Sequence, residues 1–172
     1  MQLPGKTTPW LEPFKKHEFE VSGRPVTVIC PQDPLAGTYW AWIADFVNDF
    51  PGTEIALLRK GFYIVYMIFP DQFGSPAAVR KWNELYEFLT GAHGFAPKVA
   101  LIGLSRGGLY CYQWAAANPG KVACIFGDAP VCDMRSWPGG KGKSTGNPEE
   151  WNRVMNVFGF SSQEKAMAYD RN

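Results

Sequence analysis

Short apolar runs alternate with amphipathic segments along most of the chain. The runs VTVIC, FYIVYMIF, VALIGL and VACIFG are rich in β-branched and aromatic residues, as is typical of strands buried on both faces. A turn, Ser22-Gly23-Arg24, separates residues 17–21 from 25–30 and predicts a hairpin. Between the strands the pattern predicts helices, and Ser75-Pro76 is a helix start signal. We predict a further helix that begins at Asn147-Pro148 and a last one over residues 162–170.

This order of elements predicts an α/β fold: a mostly parallel sheet flanked by helices on both faces. Chemistry in such a sheet lies at the carboxyl ends of the strands. We divide the chain into an irregular N-terminal arm (1–16), an α/β core (17–132) and a segment of loop and helices (133–172) that we interpret as a cap or lid. The segment PQDPLAGTYWAW is rich in turn residues and is predicted to be a loop.

Composition and charge exclude several classes of function. The chain has 17 Lys+Arg against 16 Asp+Glu, so its net charge is +1, and no basic run indicates a nucleic-acid partner. No apolar run approaches the roughly 18 residues of a membrane span. Residues 1–5 lack the charged and apolar regions of a signal peptide. We therefore predict a cytoplasmic location, or a secreted or periplasmic one if a leader has been removed.

The metal-binding residue types are few and scattered. The four cysteines form no C-x-x-C pair, and the only histidines are His17 and His93, so we predict no metal site. Because Cys30, Cys111 and Cys124 lie in apolar contexts, we interpret them as buried free thiols, with a disulfide as the alternative.

The chemical signal is the sequence GLSRG at residues 103–107. It fits the G-x-S-x-G pattern, and its required context is present because an apolar strand precedes it and a helix follows. Small residues at 103, 107 and 108 would let the strand reverse sharply into the helix. Ser105 would then lie at a helix N-terminus, where free N–H groups, including that of Arg106, stabilise an oxyanion. The alternative is a purely structural Gly/Ser turn.

With this motif the chain resembles the α/β-hydrolase superfamily. It is most similar to bacterial esterase-like members, in which an S-R-G-G elbow is followed by a segment like WAAANPGKVACIFGDAPVCDMRSWPGG. The resemblance implies hydrolysis of a small-molecule carboxylic ester through an acyl-Ser105 intermediate, without a cofactor. It also implies a second oxyanion N–H in the loop after VTVIC. We assign that donor to Asp33, with Gln32 as the alternative, because Pro31 and Pro34 have no N–H.

A serine nucleophile needs a general base, and no histidine follows Ser105 in this sequence. His93 precedes the strand that ends at Ser105, and His17 begins an outer hairpin, so neither is expected to reach it. The resemblance implies that the base and the last strands of the fold lie beyond residue 172. We therefore expect an incomplete chain whose strand 122–127 has a free edge, available for self-association or for a complementing chain.

The remaining site assignments each carry an alternative. Asp128 is a candidate acid partner for the base, with Asp133 as a second choice, and either could instead shape the pocket wall. The Arg106 side chain could hold an oxyanion or a substrate carboxylate, or form a structural ion pair. Trp40 and Trp137 are candidate walls of the substrate pocket, with packing in the core as the alternative.

Two other functions stay open. The first is a peptidase or other amide hydrolase of the same fold, because related elbows occur in relatives of prolyl oligopeptidase. The second is a non-catalytic fragment or pseudo-enzyme that works only with a complementing chain.

Overall fold

The computed structural model describes residues 2–170 and contains a seven-stranded sheet flanked by helices. The strands are β1 (Lys6–Pro9), β2 (Lys15–Val21), β3 (Arg24–Cys30), β4 (Trp40–Ile43), β5 (Tyr63–Met67), β6 (Val99–Leu104) and β7 (Val122–Asp128). The α-helices are α1 (Gly52–Arg59), α2 (Pro76–Glu87), α3 (Gly107–Ala117), α4 (Pro148–Phe158) and α5 (Gln163–Met167). A π-helical turn, Phe88–Ala92, follows α2, and a 3-10 turn, Pro119–Lys121, precedes β7.

The sheet is mixed, so the prediction of a mostly parallel sheet is wrong. The spatial order is β1-β2-β3-β5-β4-β6-β7. The pairs β1–β2, β2–β3 and β3–β5 are antiparallel, whereas β4–β5, β4–β6 and β6–β7 are parallel. The predicted hairpin is β2–β3. Hydrophobic periodicity reports burial but carries no information on pairing direction, so it could not reveal that β5 runs antiparallel to β3.

Two strands lie where the sequence predicts irregular structure. β4 falls in the segment predicted to be a loop, yet all four of its residues are buried between β5 and β6. β1 falls in the predicted irregular arm and pairs with β2, with Thr7 opposite His17. Both strands are only four residues long, and Pro, Gly and Thr flank them. These turn residues mask the hydrophobic pattern by which a strand is recognised in the sequence.

Helices cover both faces of the sheet, as predicted. α2 and α3 pack on one face, where the ring of Trp82 lies 4.1 Å from that of Trp42, centroid to centroid. α1 packs on the other face, where Leu58 contacts the cluster that contains Ile43 and Ile102. Side-chain caps fix two helix starts: Ser75 Oγ accepts from the Ala78 N–H at 3.3 Å, and Asn147 Oδ1 accepts from the Glu150 N–H at 3.0 Å.

A third apolar cluster joins the C-terminal segment to the core. Trp151 and Val154 of α4 and Ala166 of α5 pack with Phe73 and Leu109. The last helix is capped by Ser162, and its range is shorter than the predicted 162–170. No helix in residues 2–170 is both long and apolar enough to span a bilayer.

β7 is one of the two edge strands of the sheet, opposite β1. It pairs with β6 on one side and has no strand partner on the other within residues 2–170. Phe126 is 51% exposed, and Cys124 is exposed as well. The prediction that Cys124 is a buried thiol is therefore wrong, because the face of β7 that carries it is uncovered. Cys111, by contrast, is a buried free thiol, and burial raises its pKa to about 12.

Candidate active site

Ser105 lies on the sharp turn between β6 and α3. Its φ is +50°, in the left-handed region that a non-glycine residue rarely adopts, and it is exposed. Two neighbouring segments hold this conformation. The Ser105 N–H donates to the Asp128 carbonyl at 3.0 Å, and the Ser105 carbonyl accepts from the N–H groups of Gly108 and Val131 at 3.0 and 2.8 Å. An exposed serine with positive φ between a strand and a helix is the geometry of a nucleophile elbow.

The glycines around Ser105 are required to different degrees. A Cβ at Gly108 would lie 2.6 Å from the Val131 oxygen and 2.7 Å from the Pro130 Cβ, which is too close for either atom to tolerate. A Cβ at Gly103 would be tight, at 3.1 Å from Gly108. At Gly107 the nearest atoms lie at an ordinary 3.5 Å, so the expected need for a small residue there is wrong.

The structure places Asp33 far from Ser105, which contradicts its assignment as an oxyanion donor. β3 is antiparallel to β5, so the carboxyl end of β3 lies beside the amino end of β5. A Cβ at Gly61, just before β5, would lie 2.7 Å from the Asp33 carbonyl oxygen. Ser105 follows the carboxyl end of β6, which is parallel to β4 and β5, so it lies at the other end of the strands from Asp33. The alternative Gln32, in the same loop, is excluded for the same reason.

The loop that follows β4 lies beside the elbow instead. The Ala44 N–H donates to the Ile102 carbonyl of β6 at 3.0 Å. The Asp45 nitrogen would lie 3.5 Å from a Cβ at Gly107, at the start of α3. The backbone nitrogen of Asp45 therefore lies beside the start of α3, where the N–H of Asp33 is expected from the sequence. The apolar run WAWI belongs to the strand that positions this loop, but the turn residues before it mask its pattern in the sequence.

The Arg106 side chain is held in an ion-pair cluster, which favours its structural interpretation. Its Nε donates to Asp45 Oδ2 at 2.8 Å, and its Nη1 lies 3.5 Å from Asp71 Oδ1 and 3.8 Å from Glu150 Oε2. Burial lowers the pKa of Arg106, but these carboxylates outweigh it and raise that pKa above its ordinary value. Since Glu150 belongs to α4, Arg106 ties the C-terminal segment to the elbow.

The two candidate acids differ in their surroundings. Asp128 lies opposite Leu104 in the β6–β7 ladder, and its carbonyl contacts the Ser105 N–H, so its carboxyl is near the elbow. Asp133 is bound by the Arg135 guanidinium through two bonds of 2.8 and 2.9 Å, and this contact lowers the pKa of Asp133. That ion pair disfavours Asp133 as the partner of a catalytic base.

Neither histidine can reach Ser105. His17 is in β2, which is separated from β6 by β3, β5 and β4, or about 19 Å at the usual strand spacing. His93 precedes β6, at the other end of that strand, about 20 Å from Ser105. Its ring packs on Phe88, with centroids 4.6 Å apart.

The predicted pocket tryptophans take packing roles in the structure. Trp40 is 1% exposed within the core, where it stacks on Trp42, so its assignment to the pocket wall is wrong. The side chain of residue 40 points into the face covered by α2, away from the site. Trp137 is partly buried against the cluster that contains Trp151.

An apolar cavity of about 260 Å³ opens beside the elbow at the carboxyl ends of β4 and β5. Its wall includes Phe46, Met67, Phe69 and Tyr110. The Tyr110 hydroxyl donates to the Phe69 carbonyl at 3.2 Å and accepts from the Gln72 N–H at 2.8 Å. Both bonds fix the tyrosine ring, so the cavity has a rigid wall.

Comparison with solved structures identifies the class of fold. An esterase from an Arctic intertidal metagenomic library superposes with a TM-score of 0.57 and 18% identity, over 74% of this chain and 63% of that one. A puromycin-hydrolysing peptidase of Mycobacterium tuberculosis gives 0.58 and 12%, over 82% and 28%. Prolyl endopeptidases give 0.56 and 13%, over 84% and 26%. The chain has the α/β-hydrolase fold.

The likeness is one of fold, and it extends to esterases and peptidases alike. The chain spans less than two thirds of the length of the Arctic esterase, at 63% to 65% in two of its structures. No family model and no curated protein matches the sequence.

Proposed function

We propose that Ser105 is the nucleophile of a hydrolase that cleaves a carboxylic ester through an acyl-Ser105 intermediate. The observation that carries this proposal is the exposed serine at φ +50° between β6 and α3. Such strain needs support, and three backbone hydrogen bonds, from Asp128, Gly108 and Val131, supply it. Ser22 is also exposed with φ +51°, in the β2–β3 turn, so the position of Ser105 between a buried strand and a helix N-terminus is what distinguishes it.

The proposed reaction has two steps. Ser105 Oγ attacks the ester carbonyl, its proton passes to the base, and the base returns that proton to the departing alcohol. Water then attacks the acyl-enzyme with the same base, which releases the acid and restores Ser105. The backbone N–H groups of Arg106 and Asp45 would hold the oxyanion in both steps. The reaction requires no metal or cofactor.

Neither His17 nor His93 can serve as the base, because both lie about 20 Å from Ser105, so we propose a base from outside these 172 residues. We propose a histidine that follows further strands joined to β7, oriented by a carboxylate such as Asp128.

We also propose that the cavity lined by Met67 and Phe69 binds the acyl group. Residues 133–170 would form a cap, which the ion pair between Glu150 and Arg106 holds against the elbow.

An amide hydrolase is the second candidate, and the likeness to peptidase structures favours it. A non-catalytic fragment is the third, since neither histidine of the described residues lies near Ser105. Turnover of p-nitrophenyl acetate and of an acyl p-nitroanilide separates these functions.

We expect the chain produced together with its downstream coding sequence to hydrolyse the acetate ester, measured as p-nitrophenol release. Ser105→Ala should reduce kcat at least 1,000-fold, because both steps use Oγ. Ser161→Ala, at an exposed serine, is the matched control. Faster cleavage of the anilide would favour the amide hydrolase, and activity that persists in Ser105→Ala would rule out this nucleophile.

The free edge of β7 predicts a second property. Unpaired N–H and C=O groups beside an exposed Phe126 favour pairing with another strand, so we expect the 172-residue chain to self-associate at high concentration. Phe126→Lys should shift the light-scattering mass towards the monomer. Leu11→Lys, at a residue of similar exposure (45%), should leave the mass unchanged. A wild-type chain that stays monomeric across the concentration range would contradict self-association through the edge of β7.

A further inference from the structure

A small cavity lies next to the elbow on the face of the sheet that α1 covers. It has a volume of about 30 Å³, and its wall combines carboxylates with phenylalanine rings. The carboxylates are Asp45, Glu54 and Asp128, and the rings are Phe46, Phe50 and Phe126. We call it the acidic–aromatic cavity. It is distinct from the apolar cavity beside β5, although Ile43, Asp45 and Phe46 belong to both walls.

Glu54 is the unusual member of this wall. It lies in the first turn of α1 and is only 7% exposed. Its Oε2 is buried and has no hydrogen-bond partner within residues 2–170. Burial raises the pKa of its carboxyl, although its own backbone N–H lowers it in part. A buried carboxylate without a partner is costly, so a cationic ligand would stabilise it.

The chemistry of the wall selects an organic cation. Asp45 is already paired with Arg106, so the Glu54 and Asp128 carboxylates supply the attraction for a positive charge. The faces of phenylalanine rings bind ammonium groups through cation–π interactions. A metal ion fits less well, because no group of three or more carboxylate, cysteine or histidine side chains in residues 2–170 has the geometry to hold one. The volume of about 30 Å³ exceeds the ~10–15 Å³ needed for one water, so an ammonium head group fits.

The cavity is adjacent to the reacting serine. Leu104, on its wall, directly precedes Ser105, and the Asp128 carbonyl accepts from the Ser105 N–H. We propose that the acidic–aromatic cavity binds a protonated amino group carried by the substrate, so that the hydrolase selects cationic esters. This substrate class rests on the proposed function, but the binding itself does not require Ser105 to react.

Benzylammonium is the probe, and benzyl alcohol is its neutral analogue. We expect benzylammonium to bind saturably to the wild-type chain, with NMR shifts that concentrate on Phe50 and Phe126. Glu54→Gln should weaken binding at least tenfold because it removes the charge and keeps the shape. Asp128→Asn is a second variant that should also weaken it. Glu20→Gln, at an exposed carboxylate in β2, is the control that should bind like the wild type.

Two further results separate this proposal from the proposed function. Ser105→Ala should bind benzylammonium as the wild type does, so a failure of Ser105 as nucleophile would leave the cation site intact. The cation site is overturned if benzyl alcohol binds as tightly as benzylammonium, or if a folded Glu54→Gln chain retains full affinity.

Discussion

Replacing Trp82 with alanine is expected to lower the free energy of unfolding by about 3–5 kcal/mol, the usual cost of deleting a buried aromatic side chain. Trp82 is 1% exposed and stacks between Trp42, at 4.1 Å between centroids, and Tyr110, at 5.7 Å. It therefore joins α2 to the sheet and to α3. Neighbouring rings cannot collapse into the space without losing their own contacts, so the cost should lie near the upper end. Urea unfolding followed by circular dichroism measures it.

The matched control is another aromatic residue that contributes little to packing. Phe50 is 75% exposed, and Phe50→Ala should change the free energy of unfolding by no more than about 0.5 kcal/mol. Equal losses for Trp82→Ala and Phe50→Ala would mean that the aromatic stack is not the centre of the core.

Gly108→Ala is expected to destabilise the protein by about 1–3 kcal/mol, the range for overpacking a close contact. Helix propensity opposes this loss, because alanine is favoured over glycine by about 1 kcal/mol in a helix interior. The steric cost should prevail, since the new Cβ would meet a backbone oxygen and a proline ring at 2.6 and 2.7 Å, and neither can rotate away. Displacing Val131 would also lengthen its hydrogen bond to the Ser105 carbonyl. Thermal unfolding measures the change.

Gly107→Ala is the control, one residue earlier in the same helix. Its Cβ would have ordinary contacts at 3.5 Å, so the variant should be as stable as the wild type or slightly more stable. If Gly108→Ala proved as stable as Gly107→Ala, the result would contradict the close packing of residues 130–131 against α3.

The features that the sequence could predict are those that depend on local chemistry. Ser75 and Asn147 cap helices where their side chains allow it, and the hairpin forms around Ser22-Gly23-Arg24. The elbow at Ser105 was also predictable, because its strand, turn and helix are contiguous. Each of these signals is contained within one contiguous segment, the longest being Val99–Ala117 around the elbow.

Features that depend on pairing between distant segments could not be predicted. The order in which strands lie in the sheet decides which loop reaches Ser105, and β4 was hidden by the turn residues around it. The prediction of Asp33 as the oxyanion donor is wrong for this reason, and the local sequence does not indicate Asp45 instead. Trp40 failed as a pocket residue because alternation alone does not say which face of a strand a helix covers.

The ion-pair partners of charged residues could not be predicted from the sequence either. Arg106 finds Asp45, Asp71 and Glu150 across separations of more than 30 residues. Nothing in the local sequence indicates that these groups meet.

The most direct test of the account is covalent labelling with a fluorophosphonate, which requires an activated serine. The chain produced with its downstream coding sequence should gain one adduct, and peptide mass spectrometry should locate that adduct on Ser105. The adduct should be absent from Ser105→Ala. Labelling at another residue would contradict the account, as would a folded extended chain that supplies a further histidine and still gains no adduct on Ser105.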